Sequence, residues 1–134
     1  MSQQILVNPP GTEKVYEKLQ FSQAVRVGDT VWVSGQVGMD ETGMAGDGIQ
    51  EQARLAFQNL QRVLEEAGSS LADIVELVSF HTSMNAIRDF GKVKAKFISK
   101  NYPAWTAVGV RELALPQLLV EIKATAVIGS GNDE

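Results

Sequence analysis

Glu121 is the carboxylate with the clearest chemical promise in this chain, because it stands between Val120 and Ile122 in an alternating apolar run. In a strand, neighbouring side chains point to opposite faces, so this carboxylate must leave the face that Val120 and Ile122 share. Two readings follow. Covered by a partner surface, the carboxyl would lose solvent, its pKa would rise, and it could exchange protons near neutral pH. Left in water, it is a surface glutamate paired with Lys123, two residues along on the same face. Other familiar chemistry is thin. His81 is the sole histidine and reads as a partly exposed structural residue at a strand end. Ser34 precedes Gly35, but the strand–nucleophile–helix elbow of a serine hydrolase is missing. No pair of His or carboxylate residues falls at a metal-binding spacing, and no Lys-Ser/Thr follows the glycines of Gly43 to Gly48, as a phosphate loop requires. The chain has no cysteine, which excludes disulfides, thiolate ligands and a cysteine nucleophile.

The elements that must position these residues fit one domain over 1–134, since 134 residues is ordinary for a single core. Residues 1–14 are expected to form an extended arm, broken at Pro9-Pro10-Gly11. They have no basic segment followed by an apolar run, so no signal peptide is expected. No apolar stretch is long enough to span a membrane; a cytoplasmic location is expected. The formal charge of −4 disfavours nucleic acid, whose binders display a basic stripe. Lys92, Lys94, Lys96 and Lys100 are the only basic cluster, and helical spacing scatters them around a solvated surface.

Ser22 to Val27 and Thr30 to Gly35 read as strands joined by a tight turn at Gly28-Asp29. A helix is expected from about Gly48 to Ala67, with Asp47 as its cap and Gly68 ending it in a left-handed conformation. Ile49, Ala53, Ala56, Phe57, Leu60, Val63 and Leu64 form its apolar face. Ile74 to Thr82 is a strand. A second helix spans about Ala86 to Ser99, capped by Asn85. Trp105 to Arg111 and Leu118 to Ile128 close the chain as two strands that are expected to pair. The order is β-β-α-β-α-β-β, and the simplest α+β packing places both helices on one face of a mixed sheet. On the last strand Val120, Ile122, Ala124 and Ala126 suit the helix-covered face. The other face is expected to carry Glu121, Lys123 and Thr125, together with Trp105, Ala107 and Gly109. It faces either water or another subunit.

Several segments, taken in order, carry a resemblance. They are Phe21-Ser-Gln-Ala-Val-Arg-Val-Gly-Asp followed by Val33-Ser-Gly-Gln36; Gln52 to Gly68 with Asn59-Leu60 and Glu66-Ala-Gly68; and Asp73-Ile-Val75. Pro103-Ala104, Thr106-Ala-Val-Gly-Val110, Val120-Glu-Ile122 and Ala124 to Val127 complete the set. Together they resemble the RidA/YjgF/L-PSP (reactive intermediate deaminase) family. The Trp-Thr-Ala-Val-Gly-Val run looks most like its arginine-lacking, YjgH-type members. The resemblance implies a chorismate-mutase-like fold and a homotrimer with a central barrel and ligand clefts between neighbouring subunits. It also implies hydrolysis of enamines and imines such as 2-aminoacrylate to keto acids and ammonia, with no metal and no organic cofactor. In such proteins an arginine grips the substrate carboxylate in bidentate fashion and a glutamate positions or activates water.

Carried onto this chain, the glutamate is Glu121, and the strand residues beside the cleft are Ser34 and Gly35. The arginine position holds Trp105, the cysteine two residues on is Ala107, the hairpin tyrosine is Phe21, and the cleft asparagine of the helix is Lys94. An indole has one N–H and no charge, so it cannot act as a guanidinium fork. Arg111, with the strand parity of Trp105, is a candidate for a displaced charge; Arg26 is a weaker one. Three functions remain open. The chain is a hydrolase with an altered small-molecule substrate, or a binding or sensing trimer without catalysis, or, against its charge, an endoribonuclease.

Overall fold

The structure is a computed structural model, and it describes residues 3–132. Nine regular elements follow in chain order: β1 (Gln4–Val7), α1 (Glu13–Leu19), β2 (Ala24–Val27), β3 (Thr30–Val37), α2 (Gly48–Glu66), β4 (Ile74–His81), α3 (Ile87–Phe97), β5 (Ala104–Gly109) and β6 (Val120–Val127). The strands form one six-stranded sheet in the order β1-β2-β3-β6-β4-β5. Only β4 and β5 pair in parallel; the other neighbours are antiparallel. A parallel pair needs a crossover, and α3 supplies it between β4 and β5. Both β3 and β4 run antiparallel to β6, so α2 also bridges two strands of one direction, with β6 inserted between them.

The apolar stripe of α2 is buried as its spacing predicts, through Ala53, Ala56, Phe57, Leu60, Val63 and Leu64. It packs on Val120, Ile122, Ala124 and Ala126 of β6, all of them buried. On α3, Phe90 and Val93 join that core, and Phe57 stacks on Phe97 with ring centres 5.2 Å apart. Gly68 takes φ +89° and ends α2 as expected. Asp47 stands at the N-cap of α2 without making a side-chain capping bond. Asn85 does not cap α3, because Met84–Ala86 forms a 3₁₀ turn that leads directly into it and Ala86 is the cap.

Two expectations are corrected. The N-terminal segment is not an arm. Within it, Gln4 to Val7 pair with Val27 to Ala24 as an edge strand, and Glu13–Leu19 is helical. Two strands from the chain's interior leave an open ladder edge, and the Ile5-Leu6-Val7 run satisfies it. The Pro9-Pro10-Gly11 break is the turn between these two elements. The element order therefore gains β1 and α1 ahead of the expected β-β-α-β-α-β-β. The last two strands do not pair with each other. β6 lies between β3 and β4, and β5 lies outside β4 at the sheet edge. The segment from Val110 to Leu119 makes this possible, and Gln52 anchors it from α2. The Gln52 amide donates to Gln117 O at 2.9 Å and to Gly46 O at 3.1 Å, and its Oε1 accepts from Leu119 N at 2.7 Å.

Candidate functional site

Glu121 sits where β3 departs from regular pairing with β6. Val33 lies opposite Ala124 and Gln36 opposite Ile122, so the register shifts across Ser34-Gly35. A bulge of this kind re-aims side chains, and here a polar network fixes it. The Ser34 hydroxyl donates to Ser22 O at 2.7 Å, and Ser34 N–H donates to Gln23 O at 2.8 Å. The buried Gln36 amide donates to Gln23 Oε1 at 2.9 Å, and Gln23 N–H donates to Asn8 Oδ1 at 3.1 Å. Gly35 is needed for close approach, because a Cβ at that position would overlap the Glu121 carboxyl. Glu121 is half-buried, and loss of solvent raises its carboxyl pKa above the ordinary value. Among the described residues it has no hydrogen bond or ion pair, so the expected surface pair with Lys123 does not form. Phe21 is 41% exposed and immediately precedes Ser22, whose carbonyl accepts the Ser34 hydroxyl.

Trp105 lies on the other side of the sheet. It is opposite Leu77 in β4, and Leu77 is opposite Ala124, so all three face the helices. The sequence expectation that Trp105 and Ala107 share the uncovered face with Glu121 is thereby corrected. Alternation shows which residues share a face, but pairing decides which face it is. Trp105 Nε1–H donates to the buried Ser79 Oγ at 2.9 Å. Its ring centre is 6.0 Å from that of Phe90, and Lys94 Nζ lies 4.5 Å from it. Lys94 is therefore not part of a merely solvated lysine face. Burial lowers its pKa from the usual lysine value. Ala107, opposite Ser79, is next along the same face of β5.

These residues form two half-sites within one chain. Glu121 with Ser34 and Gly35 occupies the uncovered face at β3–β6, with Phe21 one residue before Ser22 in the chain, and Trp105 with Lys94 and Ala107 occupies the helix-covered face at the β5 edge. Two strand spacings, about 10 Å, and the sheet itself separate them. Arg111 joins neither half. β5 ends at Gly109, so the parity argument lapses, and Arg111 is exposed. Arg26 is occupied elsewhere, with Nε donating to Gly28 O at 2.9 Å and a terminal nitrogen to Ala67 O at 3.0 Å, which anchors the end of α2.

Ser79 and His81 were not recognised as parts of the site from the sequence. The signal was present: Leu77, Ser79 and His81 alternate onto the buried face of β4, two of them polar. His81 is 1% exposed, not partly exposed as expected. Its Nε2 lies 2.7 Å from Ser79 Oγ, and its Nδ1 is buried without a partner among the described residues. Burial lowers its pKa. A depressed histidine pKa gives stability that is present above the unfolded value of about 6.5 and lost as pH falls through the folded value. The denaturant midpoint should therefore drop between pH 7 and pH 5, by more in the wild type than in His81→Gln. Equal drops in the two proteins would show that His81 is not the titrating group.

A mixed sheet bearing two crossover helices on one face, with the other face left open, is the α+β architecture of the YjgF/L-PSP proteins. Residues 12–128 match the family described as Endoribonuclease L-PSP, and the chain belongs to it. It is 43% identical over 116 residues to the RutC family protein YjgH of Escherichia coli, covering 85% of this chain and 88% of that one. Over 110 residues it is 36% identical to a 2-iminobutanoate/2-iminopropanoate deaminase of Dermatophagoides farinae, covering 81% and 85%. A solved structure of protein YJGH superposes with a TM-score of 0.83 at 42% identity, covering 93% of this chain and 96% of that one. Among the described residues no helix is long and apolar enough to cross a membrane, and no group of three or more His, Cys, Asp or Glu residues could hold a metal ion.

Proposed function

We propose that the chain acts in the cytoplasm as a homotrimer that hydrolyses a small imine or enamine in clefts between neighbouring subunits, on a substrate different from that of arginine-bearing relatives. The observation that carries this reading is the separation of the two half-sites, each only partly buried, with Trp105 39% exposed at the sheet edge and Glu121 half-buried on the opposite face. A second copy whose β5 edge meets the β3–β6 corner of the first would join them. The uncovered face suits such contact: Trp32 is 49% exposed and Val108 36%. Opposite Glu121 on that face lies the half-buried Phe80.

In the joined cleft the substrate lies against Trp105, Lys94 and Ala107, with its imine carbon toward Glu121. The carboxylate takes a proton from water as the water oxygen bonds to the imine carbon. The substrate enters as the protonated imine, so the C=N pair moves onto nitrogen and leaves a neutral amine. Glu121 then gives its proton to that nitrogen, the C–N bond breaks as the hydroxyl oxygen forms the C=O bond, the hydroxyl proton passes to the freed Glu121 carboxylate, and ammonia and a carbonyl product leave. The raised carboxyl pKa suits both steps. This sequence uses no cofactor. The similarity to a 2-iminobutanoate/2-iminopropanoate deaminase of D. farinae supports imine chemistry. The formal charge of −4 counts against ribonuclease action.

Missing equivalents of the family arginine, tyrosine and cysteine favour a second reading, a binding or sensing trimer without turnover. One experiment addresses both. Light scattering at micromolar concentration should give three times the chain mass, and pyruvate release from enzymatically generated 2-iminopropanoate should be only weakly accelerated. A stable monomer would remove the inter-subunit cleft. Acceleration equal to that of an arginine-bearing relative would show that Trp105 does not change the substrate.

A further inference from the structure

The charge beside Trp105 has no counter-ion among the described residues, and from this we infer that Lys94 is the specificity-determining anion receptor of the cleft. It would grip the carboxylate of a 2-imino or 2-oxo acid whose side chain is flat and apolar. The inference rests on the small-molecule reading above and names the ligand class.

The indole N–H of Trp105 is already donated to Ser79. What the ring offers a ligand is therefore π surface and no polar atom. Polar recognition in this half-site must come from a neighbour, and the charged group against the ring is Lys94. The negative face of the indole holds the ammonium in place, so less side-chain freedom remains to be lost when an anion arrives. The carboxylates nearby are otherwise engaged or distant. Asp89, on the same helix, pairs with Lys92 at 3.6 Å, and Glu121 is on the far face of the sheet. Lys94 itself makes no ion pair among the described residues. Its lowered pKa agrees with a half-buried ammonium that lacks a counter-charge.

An ammonium is a point charge without the planar fork of a guanidinium, so it attracts a carboxylate but does not fix its plane. Orientation must then come from the rest of the ligand. The exposed part of Trp105, with the small Ala107 beyond it on the same strand face, accepts a flat apolar body and gives a short aliphatic one little to rest on. Arginine at this position would select by carboxylate geometry; Trp105 with Lys94 selects by charge and shape together.

The test uses phenylpyruvate, a stable 2-oxo acid, and phenylacetone, which lacks the carboxylate. Binding is read from the Trp105 indole N–H resonance, assigned by its loss in Trp105→Phe. The wild type should bind phenylpyruvate more tightly than phenylacetone. Lys94→Met keeps most of the stem and removes the charge. It should weaken phenylpyruvate binding by about 10-fold or more, the loss expected for one charge-assisted hydrogen bond, and leave phenylacetone within about two-fold. Lys94→Gln reads the same way should methionine pack poorly, and Lys94→Arg should retain most of the affinity. Phenylpyruvate binding equally well to Lys94→Met, with Trp105 still responding, would overturn the role of Lys94 and leave the cleft intact. No response of Trp105 to either compound would remove the cleft reading as well.

Discussion

Trp105→Arg should raise kcat/KM for 2-iminopropanoate by roughly 100-fold or more. The argument starts from donor geometry. Trp105 has one N–H, and it is held by Ser79 at 2.9 Å, whereas a guanidinium offers two parallel N–H groups to a carboxylate. Hydrogen bonds to charged groups contribute about 1.5–3 kcal/mol each, so two of them correspond to two or more powers of ten. Lys94 complicates the single change, because it loses the ring at 4.5 Å and gains a cationic neighbour. Trp105→Arg combined with Lys94→Asn rebuilds the pair that the family resemblance implies, and it should exceed the single variant. Pyruvate release measured against enzyme concentration, with the assembly checked by light scattering, decides the matter. No gain in either variant, with assembly unchanged, would mean that something other than the missing guanidinium limits this reaction.

Glu121→Gln, made in that activated background, should abolish at least 99% of the gained turnover, since general acid–base groups contribute roughly 10²–10⁴-fold. The amide fills the same space over Gly35 but cannot take a proton from water. The same substitution should make the wild-type protein more stable at pH 7, not less. The folded pKa of Glu121 is raised by burial, so ionisation is easier in the unfolded chain. Stability is then lost as pH rises through the unfolded value of about 4.3 toward the folded one. Removing the unpaired carboxylate removes that loss. A higher melting temperature with lost turnover is the signature of a group kept for chemistry at a cost in stability. A lower melting temperature would point to a structural role for the carboxylate, and full retention of turnover would end its catalytic assignment.

Local pattern was enough to read much of this chain. The three- and four-residue spacing from Ile49 to Leu64 identified α2 and its buried face, because helical geometry acts within a few residues. Alternation around Val120 and Ile122 showed that Glu121 must leave the helix-covered core. Residue types alone showed that position 105 cannot act as an arginine. The N-terminal strand was harder to see: Gln4–Val7 is short, and the strand it pairs with, β2, lies some twenty residues on.

What the sequence could not supply was strand order. Alternation groups Trp105 with Ala107 but is silent on the face they occupy. That depends on β5 joining β4 in parallel while β6 enters between β3 and β4, a choice made by the α3 crossover and by the Gln52 bonds to the segment before β6. The same long-range packing buried His81, brought Ser79 to the Trp105 indole and set Lys94 over its ring. Composition and periodicity determined the elements from β2 onward and the inventory of functional groups. Tertiary structure decided which groups meet, because contacts between residues distant in sequence depend on how the whole sheet closes on its helices.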